Sequence, residues 1–205
     1  MRRSPRSSPL PGPRSRSCWS AASASRRPCR NTTPTSIRKE HVSVVEITHL
    51  DASPDTRVPK ASVRAADGTA AAAALGLNFG SSEQRGDTLV VRIRPDEWYL
   101  LGDGAPAMAD GLDLSGFAST VDISHSRTAV RLTGDRAADT LAKLGTADFS
   151  DHMTPNGAAL GNGIAGVTCD IVRDDQQGVR SYLLLLDGSF ITYFLGALRD
   201  AASEF

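Results

Sequence analysis

Cysteine is scarce in this chain: three in 205 residues, two of which, Cys18 and Cys29, fall in an irregular N-terminal stretch. With Cys169 alone in the body, a disulfide framework is excluded and a reducing compartment, the cytoplasm, is expected. A single Cys on an apolar strand reads as a small buried hydrophobe rather than a reactive thiol. Long apolar runs are missing as well. No 18 consecutive apolar residues occur, so no membrane-spanning helix and a soluble protein are expected. Histidine is sparse, and His41, His49 and His152 stand too far apart, without Cys or Glu at ligand spacing, to suggest a metal site. The body is also short of basic residues. The chain has 23 basic and 23 acidic residues, of which the first 40 positions hold ten and one, leaving 13 against 22, a net of −9, beyond residue 40. An acidic body repels a phosphate backbone and carries no basic stripe, so no nucleic-acid partner is expected.

Residues 1–40 are rich in Arg, Ser and Pro and lack apolar periodicity, so they cannot bury enough surface to offset the entropy of ordering and read as a disordered tail. No apolar core of a secretory signal follows the basic start, while the Arg- and Ser-rich, acid-poor composition fits an organellar transit peptide. The same composition is what GC-rich DNA gives when translated out of frame, which puts the true start near Val42 or Val44. Residues 41–205 are read as one domain of ordinary size.

Within that domain the pattern strand, short turn, helix is written three times: EWYLLGDGAPAMADGL, TAVRLTGDRAADTLAKL and SYLLLLDGSFITYFLGAL. Each turn pairs Gly with Asp or Ser, which breaks the strand and caps the helix. Extra strands are read at Leu89–Arg94 and Gly166–Arg173, where apolar residues alternate. IVRDDQQGVRSYLLLL reads as a hairpin with residues 174–178 as its loop, which requires an antiparallel sheet. The run Leu183–Leu186 has no polar alternation and is placed centrally with both faces covered. In the last helix, Phe190, Phe194 and Leu198 form one stripe, with Ile191, Leu195 and Ala202 beside it. A further helix is read at Thr69–Gly80, weakened by Gly76 near its end, while residues 50–68 give no clear signal. The fold class is α+β, with antiparallel or mixed sheets and amphipathic helices packed on them.

The stretch VDISHSRTAVRLTGDRAADTLAKL, Val121 to Leu144, is the most informative. Val121 and Ile123 alternate with Asp122 and Ser124, and Val130 and Leu132 with Arg131 and Thr133, as in half-buried strands. Gly134 ends the second strand, Asp135 is the expected N-cap, and Ala137, Ala138, Leu141 and Leu144 recur at helical spacing.

Asp122, Ser124 and His125 offer an acid, a hydroxyl and a base. On a strand, however, Asp122 and Ser124 share a face that His125 does not, so the three are expected to serve the local backbone rather than form a relay. The Gly-rich NGAALGNG lacks the Lys-Ser/Thr of a phosphate loop, and Gly157, Gly161, Gly163 and Gly166 are expected to let a crossing strand bend or approach another backbone. No catalytic, cofactor-binding or metal-ligating set emerges. Trp98 and Tyr99 follow a turn at Pro95–Glu97, so one ring is expected inward and the other outward. With Arg127 beside the crossing between two strands, these three are the candidate partner-interface residues, since aromatic and Arg side chains concentrate interface energy.

The 121–144 segment resembles the opening of the folate-binding domain in the glycine-cleavage aminomethyltransferase (T-protein) superfamily. Within it, the chain is more similar to the gamma subunit family of heterotetrameric sarcosine oxidase, through RPDEWYLLG (Arg94–Gly102), GAALGNGIAGV (Gly157–Val167) and SYLLLLDGSFITYFLGALRDAASEF (Ser181–Phe205), in that order. The resemblance implies a structural subunit beside alpha, beta and delta subunits, in a complex that demethylates sarcosine oxidatively to glycine and passes the one-carbon unit to tetrahydrofolate. FAD, FMN, NAD, tetrahydrofolate and zinc would then belong to the other subunits. The chain is too short for the second half of T-protein, and no folate-pocket residues match position by position. A free-standing folate-binding protein or aminomethyltransferase-like enzyme is the alternative.

Overall fold

A computed structural model describes residues 45–205. The basic tail 1–40, both readings of it, the start near Val42 or Val44, and His41 lie outside the described residues. In chain order the elements are β1 (Glu46–His49), β2 (Lys60–Ala65), α1 (Ala70–Leu75), β3 (Ser81–Arg85), β4 (Thr88–Arg94), β5 (Glu97–Leu101) and α2 (Ala105–Asp110). They continue with β6 (Ala118–Asp122), β7 (Arg127–Thr133), α3 (Ala137–Leu144), β8 (Ala159–Ile164), β9 (Val167–Arg173), β10 (Ser181–Asp187) and α4 (Ile191–Ala202).

The strands form two five-stranded sheets, β1-β7-β10-β9-β8 and β3-β4-β5-β2-β6. Every pairing of named strands is antiparallel. The fold is therefore α+β, as the hairpin and the three strand-turn-helix units require. Those units are β5-α2, β7-α3 and β10-α4, and each helix packs back on the sheet that its own strand belongs to.

Alternation along the strands builds three apolar layers. On β10, Tyr182, Leu184 and Leu186 face α3 and α4, meeting Leu141, Phe194 and Leu198, while Leu183 and Leu185 face the other sheet. On β5, Trp98 and Leu100 face α1 and α2, while Tyr99 and Leu101 turn to the first sheet. The result is helix, sheet, sheet, helix. The Leu183–Leu186 run is buried throughout, because β10 lies in the middle of its sheet and is covered on both faces. Cys169 is fully buried beside Ile171, and burial, with the nearby Asp170, pushes its thiol well above the ordinary range, as expected of an inert hydrophobe.

Four expectations need correction. Residues 50–68 contain β2, an inner strand whose Ala, Ser and Arg composition is weak in strand preference but whose neighbours β5 and β6 fix it. The helix read over 69–80 stops at Leu75: Thr69 caps it by accepting from the Ala72 amide at 3.3 Å, and Gly76 ends it. Asp135 does not cap α3. The residue before the helix is Arg136, which makes no side-chain cap, and Arg136 pairs instead with Asp139 at 2.8 Å. Phe190 is exposed at the start of α4, where the buried stripe is Phe194, Leu198 and Ala201. The hairpin between β9 and β10 is present, with its tip at Gln177–Gly178, both at positive φ, the mirror-image turn that matches strand twist.

Candidate functional site

The two sheets are joined differently at their opposite edges. At one edge, β3 and β8 meet backbone to backbone: the Ser82 amide donates to the Gly157 carbonyl at 2.7 Å, and the Ala159 amide to the Gly80 carbonyl at 2.8 Å. Gly157 sits at φ +86 with Ser82's carbonyl 3.4 Å from where a Cβ would lie, so the close approach expected of this Gly-rich crossing is found here. At the other edge, β6 ends its sheet with no such partner among the described residues. A groove of about 380 Å³ opens beside it. Its floor is Ser62, Glu97 and Tyr99, its walls are Arg64, Ile123 and Arg127, and Ser119 and Val121 of β6 line its rim.

The buried polar groups beneath this groove fasten one sheet to the other. The Tyr99 hydroxyl donates to Asp170 at 3.0 Å, across the sheets, and Arg94 reaches the same carboxylate at 3.5 Å. Glu97 accepts from the Ser62 hydroxyl at 2.8 Å and from Arg94 at 2.7 Å. Burial pushes the Glu97 carboxyl upward, but the Ser62 hydroxyl and the Arg94 and Arg64 guanidiniums outweigh it and hold it below the usual carboxylate range. Burial first, then Asp170, pushes the Tyr99 phenol upward, and the Tyr99 hydrogen bond leads the effects that hold Arg94 protonated. Tyr99 and Arg94 clamp the sheets through Asp170, while Glu97 holds Arg94 and Ser62 in place within its own sheet. With the carboxyl shifted down and the phenol shifted up, both shifts lead away from proton transfer near neutral pH.

A second tie lies between the sheets. The Lys60 ammonium, with no exposed side-chain surface, donates to Asp51 at 2.8 and 2.9 Å and to the Val58 carbonyl at 2.7 Å. Asp51 also accepts from the Ala129 amide of β7 at 2.7 Å. Lys60 borders a cleft of about 440 Å³ whose other charged pair, Arg131 and Asp174, is closed at 2.9 Å.

Trp98 and Tyr99 do not divide into one inward and one outward ring: both are buried. Trp98 donates to the Gly76 carbonyl at 2.8 Å, holding the end of α1 on its sheet, with the Arg92 guanidinium stacked 4.6 Å above the ring. Both faces of β5 are covered, one by α1 and α2 and the other by the first sheet, which the dipeptide alone does not reveal. Arg127 is half-buried in the groove, the one member of the trio that reaches surface. Asp122, Ser124 and His125 form no relay. Asp122 accepts from the Ser124 amide at 2.8 Å, the Ser124 hydroxyl accepts from the Lys60 amide at 2.9 Å, and His125 meets Arg57. His49 bonds Thr128 at 2.9 Å. Among the described residues, no three His, Cys, Asp or Glu side chains are placed to hold a metal ion. Sequence reading missed the groove because its residues come from β2, β5, β6 and β7, and only their strand alternation signalled a shared face.

This helix-sheet-sheet-helix fold is shared with a solved aminomethyltransferase and with a chain of a solved oxidase. It superposes on the glycine cleavage system aminomethyltransferase T from Bartonella henselae with TM-score 0.58 at 15% identity, covering 78% of this chain and 47% of that one. It superposes on a chain of the heterotetrameric sarcosine oxidase from Corynebacterium sp. U-96, solved with pyrrole 2-carboxylate, with TM-score 0.67 at 24% identity, covering 78% of this chain and 85% of that one. No curated protein sequence matches the chain. The sarcosine oxidase, gamma subunit family matches residues 59–204, and the chain belongs to that family.

Proposed function

We propose that the protein is a structural subunit of a heterotetrameric sarcosine oxidase, without an active site of its own. The observation that carries this reading is the family match over residues 59–204. It is supported by the use of the buried ionisable groups: Tyr99 with Asp170, and Lys60 with Asp51, tie one sheet to the other, while Glu97 is tied up within its own sheet. In this reading the partners are a large alpha subunit, a flavin-bearing beta subunit and a small zinc-holding delta subunit, in the cytoplasm. FAD, FMN, NAD, tetrahydrofolate and zinc are held by those chains. The assembly demethylates sarcosine oxidatively to glycine and delivers the one-carbon unit to tetrahydrofolate.

Co-expression with the flavin- and zinc-subunit genes tests it. A stable complex that oxidises sarcosine and contains this chain is the expected result. A chain that stays apart from the flavoprotein overturns it. A second reading, a free-standing folate carrier, is favoured by the likeness to aminomethyltransferase T and by the cleft of about 440 Å³ between the sheets. Micromolar binding of tetrahydrofolate by the isolated chain would decide for it.

A further inference from the structure

Strand β6 has an unused backbone edge. The Ile123 amide donates to the Lys60 carbonyl at 2.9 Å, and the Phe117 carbonyl accepts from the Ala66 amide at 2.9 Å. In the β2–β6 register the odd-numbered residues therefore turn their backbone groups toward β2, and the alternation of an antiparallel ladder aims those of Ala118, Thr120 and Asp122 away from the sheet. No described strand lies beyond them.

Exposed edges are ordinarily blunted by Lys, Pro, a bulge or a cover. β6 reads ASTVD and pairs in unbroken register, with neither Lys nor Pro. Its exposed side chains are Ser119, Val121 (58%) and Asp122, and Phe117, just before the strand, is 88% exposed. Val121 and Phe117 lie on the groove face, beside Arg64. The charge of that face opposes the acidic body. Arg64 keeps 68% of its side chain exposed, although its Nε reaches Glu97 at 3.4 Å. Glu97 and Asp170 are buried and held chiefly by Arg94, and among the described residues the one exposed carboxylate beside Arg64 on this patch is Asp96. Arg127 has no salt bridge among the described residues, and its ladder neighbour Asp187 gives its carboxylate to Ser189.

The geometry points to β6 as the docking strand of this subunit. An extended segment of a partner subunit, alternating apolar and acidic side chains, adds to the sheet as a sixth strand. Its apolar residues cover Phe117 and Val121, and its carboxylates meet Arg64 and Arg127. The inference rests on the reading of the chain as an assembly subunit, and it names the surface that reading lacks.

Hydrogen exchange on the wild-type chain, alone and in the assembled oxidase, is the direct test. The amides of Ala118, Thr120 and Asp122 should exchange freely in the isolated chain and slow by about 100-fold or more on assembly, the protection of a hydrogen-bonded edge. Thr120→Pro, which removes one outward donor, and Phe117→Asp should each cut the co-purified complex by about tenfold, while Tyr193→Asp on exposed α4 surface leaves it unchanged. Failure of the wild-type chain to assemble sinks the subunit reading itself, and this inference with it. Assembly with β6 amides that still exchange freely, or undiminished assembly of both β6 variants with native melting curves, overturns strand addition alone. Protection already present in the isolated chain, from a second copy or from the chain's own N-terminal residues, overturns it too.

Discussion

The two edges of one sheet, β3 and β6, meet opposite fates. β3 finds β8 of the other sheet and closes against it through backbone hydrogen bonds at Ser82–Gly157 and Gly80–Ala159. β6 finds nothing among the described residues beyond its outward amides, and Val121, with Phe117 just before the strand, stays on the surface. The difference lies in the side chains between the backbones. A sheet corner closes where a glycine lets two main chains come within hydrogen-bonding range, as Gly157 does, and stays open at β6, where no described strand approaches the edge. An edge that is satisfied internally stabilises the monomer, and one left unsatisfied is available for association.

The largest effect expected comes from the Lys60–Asp51 tie that lies between the sheets. Lys60→Ala leaves Asp51 buried without its cation, and urea unfolding should show a loss of about 3–5 kcal/mol. A loss below about 1 kcal/mol would mean that the β3–β8 corner and the Tyr99–Asp170 clamp hold the sheets in register without it. Next in size is the corner. Gly157→Val forces a branched side chain into a positive-φ position and should cost about 1–3 kcal/mol in the same assay, with little effect on the β6 face.

A smaller effect appears in acid. Because the folded Glu97 carboxyl titrates below its ordinary value of 4.5, the stability it adds is present above that pH and is lost as pH falls through the folded value. Glu97→Gln should therefore flatten the acid limb of a stability-against-pH curve, and an unchanged limb would remove Glu97 from the clamp. The smallest effect on stability belongs to Arg127→Ala, within about 0.5 kcal/mol of wild type by thermal melting. If β6 is the docking edge, the same substitution weakens co-purification with the oxidase partners, separating association from folding.

Much of the architecture is written in the sequence. The strand-turn-helix units carry patterns of period two and 3.6, the hairpin loop carries its turn residues, and the unbroken Leu183–Leu186 run marks a strand covered on both faces. β2 and β3 carry no such signal, because KASVRA and SSEQR are held in place by partners elsewhere in the chain rather than by their own preference. The Asp135 cap failed for a local reason: the chain turns one residue later, at Arg136. Trp98 and Tyr99 failed for a global one, since a strand covered on both faces hides both members of any adjacent pair. The groove was the least legible feature, because Ser62, Glu97, Val121 and Arg127 come from four strands and become neighbours only once those strands are in register.

One feature of the topology bears on how the chain is made. The sheet β3-β4-β5-β2-β6 is assembled entirely from residues 60–122, an uninterrupted stretch, so it can pair completely while the C-terminal third is still inside the ribosome. The other sheet joins Glu46 to Thr133 and Ser181 to Thr133, and it must wait for the last strand to emerge. Vectorial synthesis thus gives an early half and a late half, with the long-range closure of the late half setting the pace of maturation.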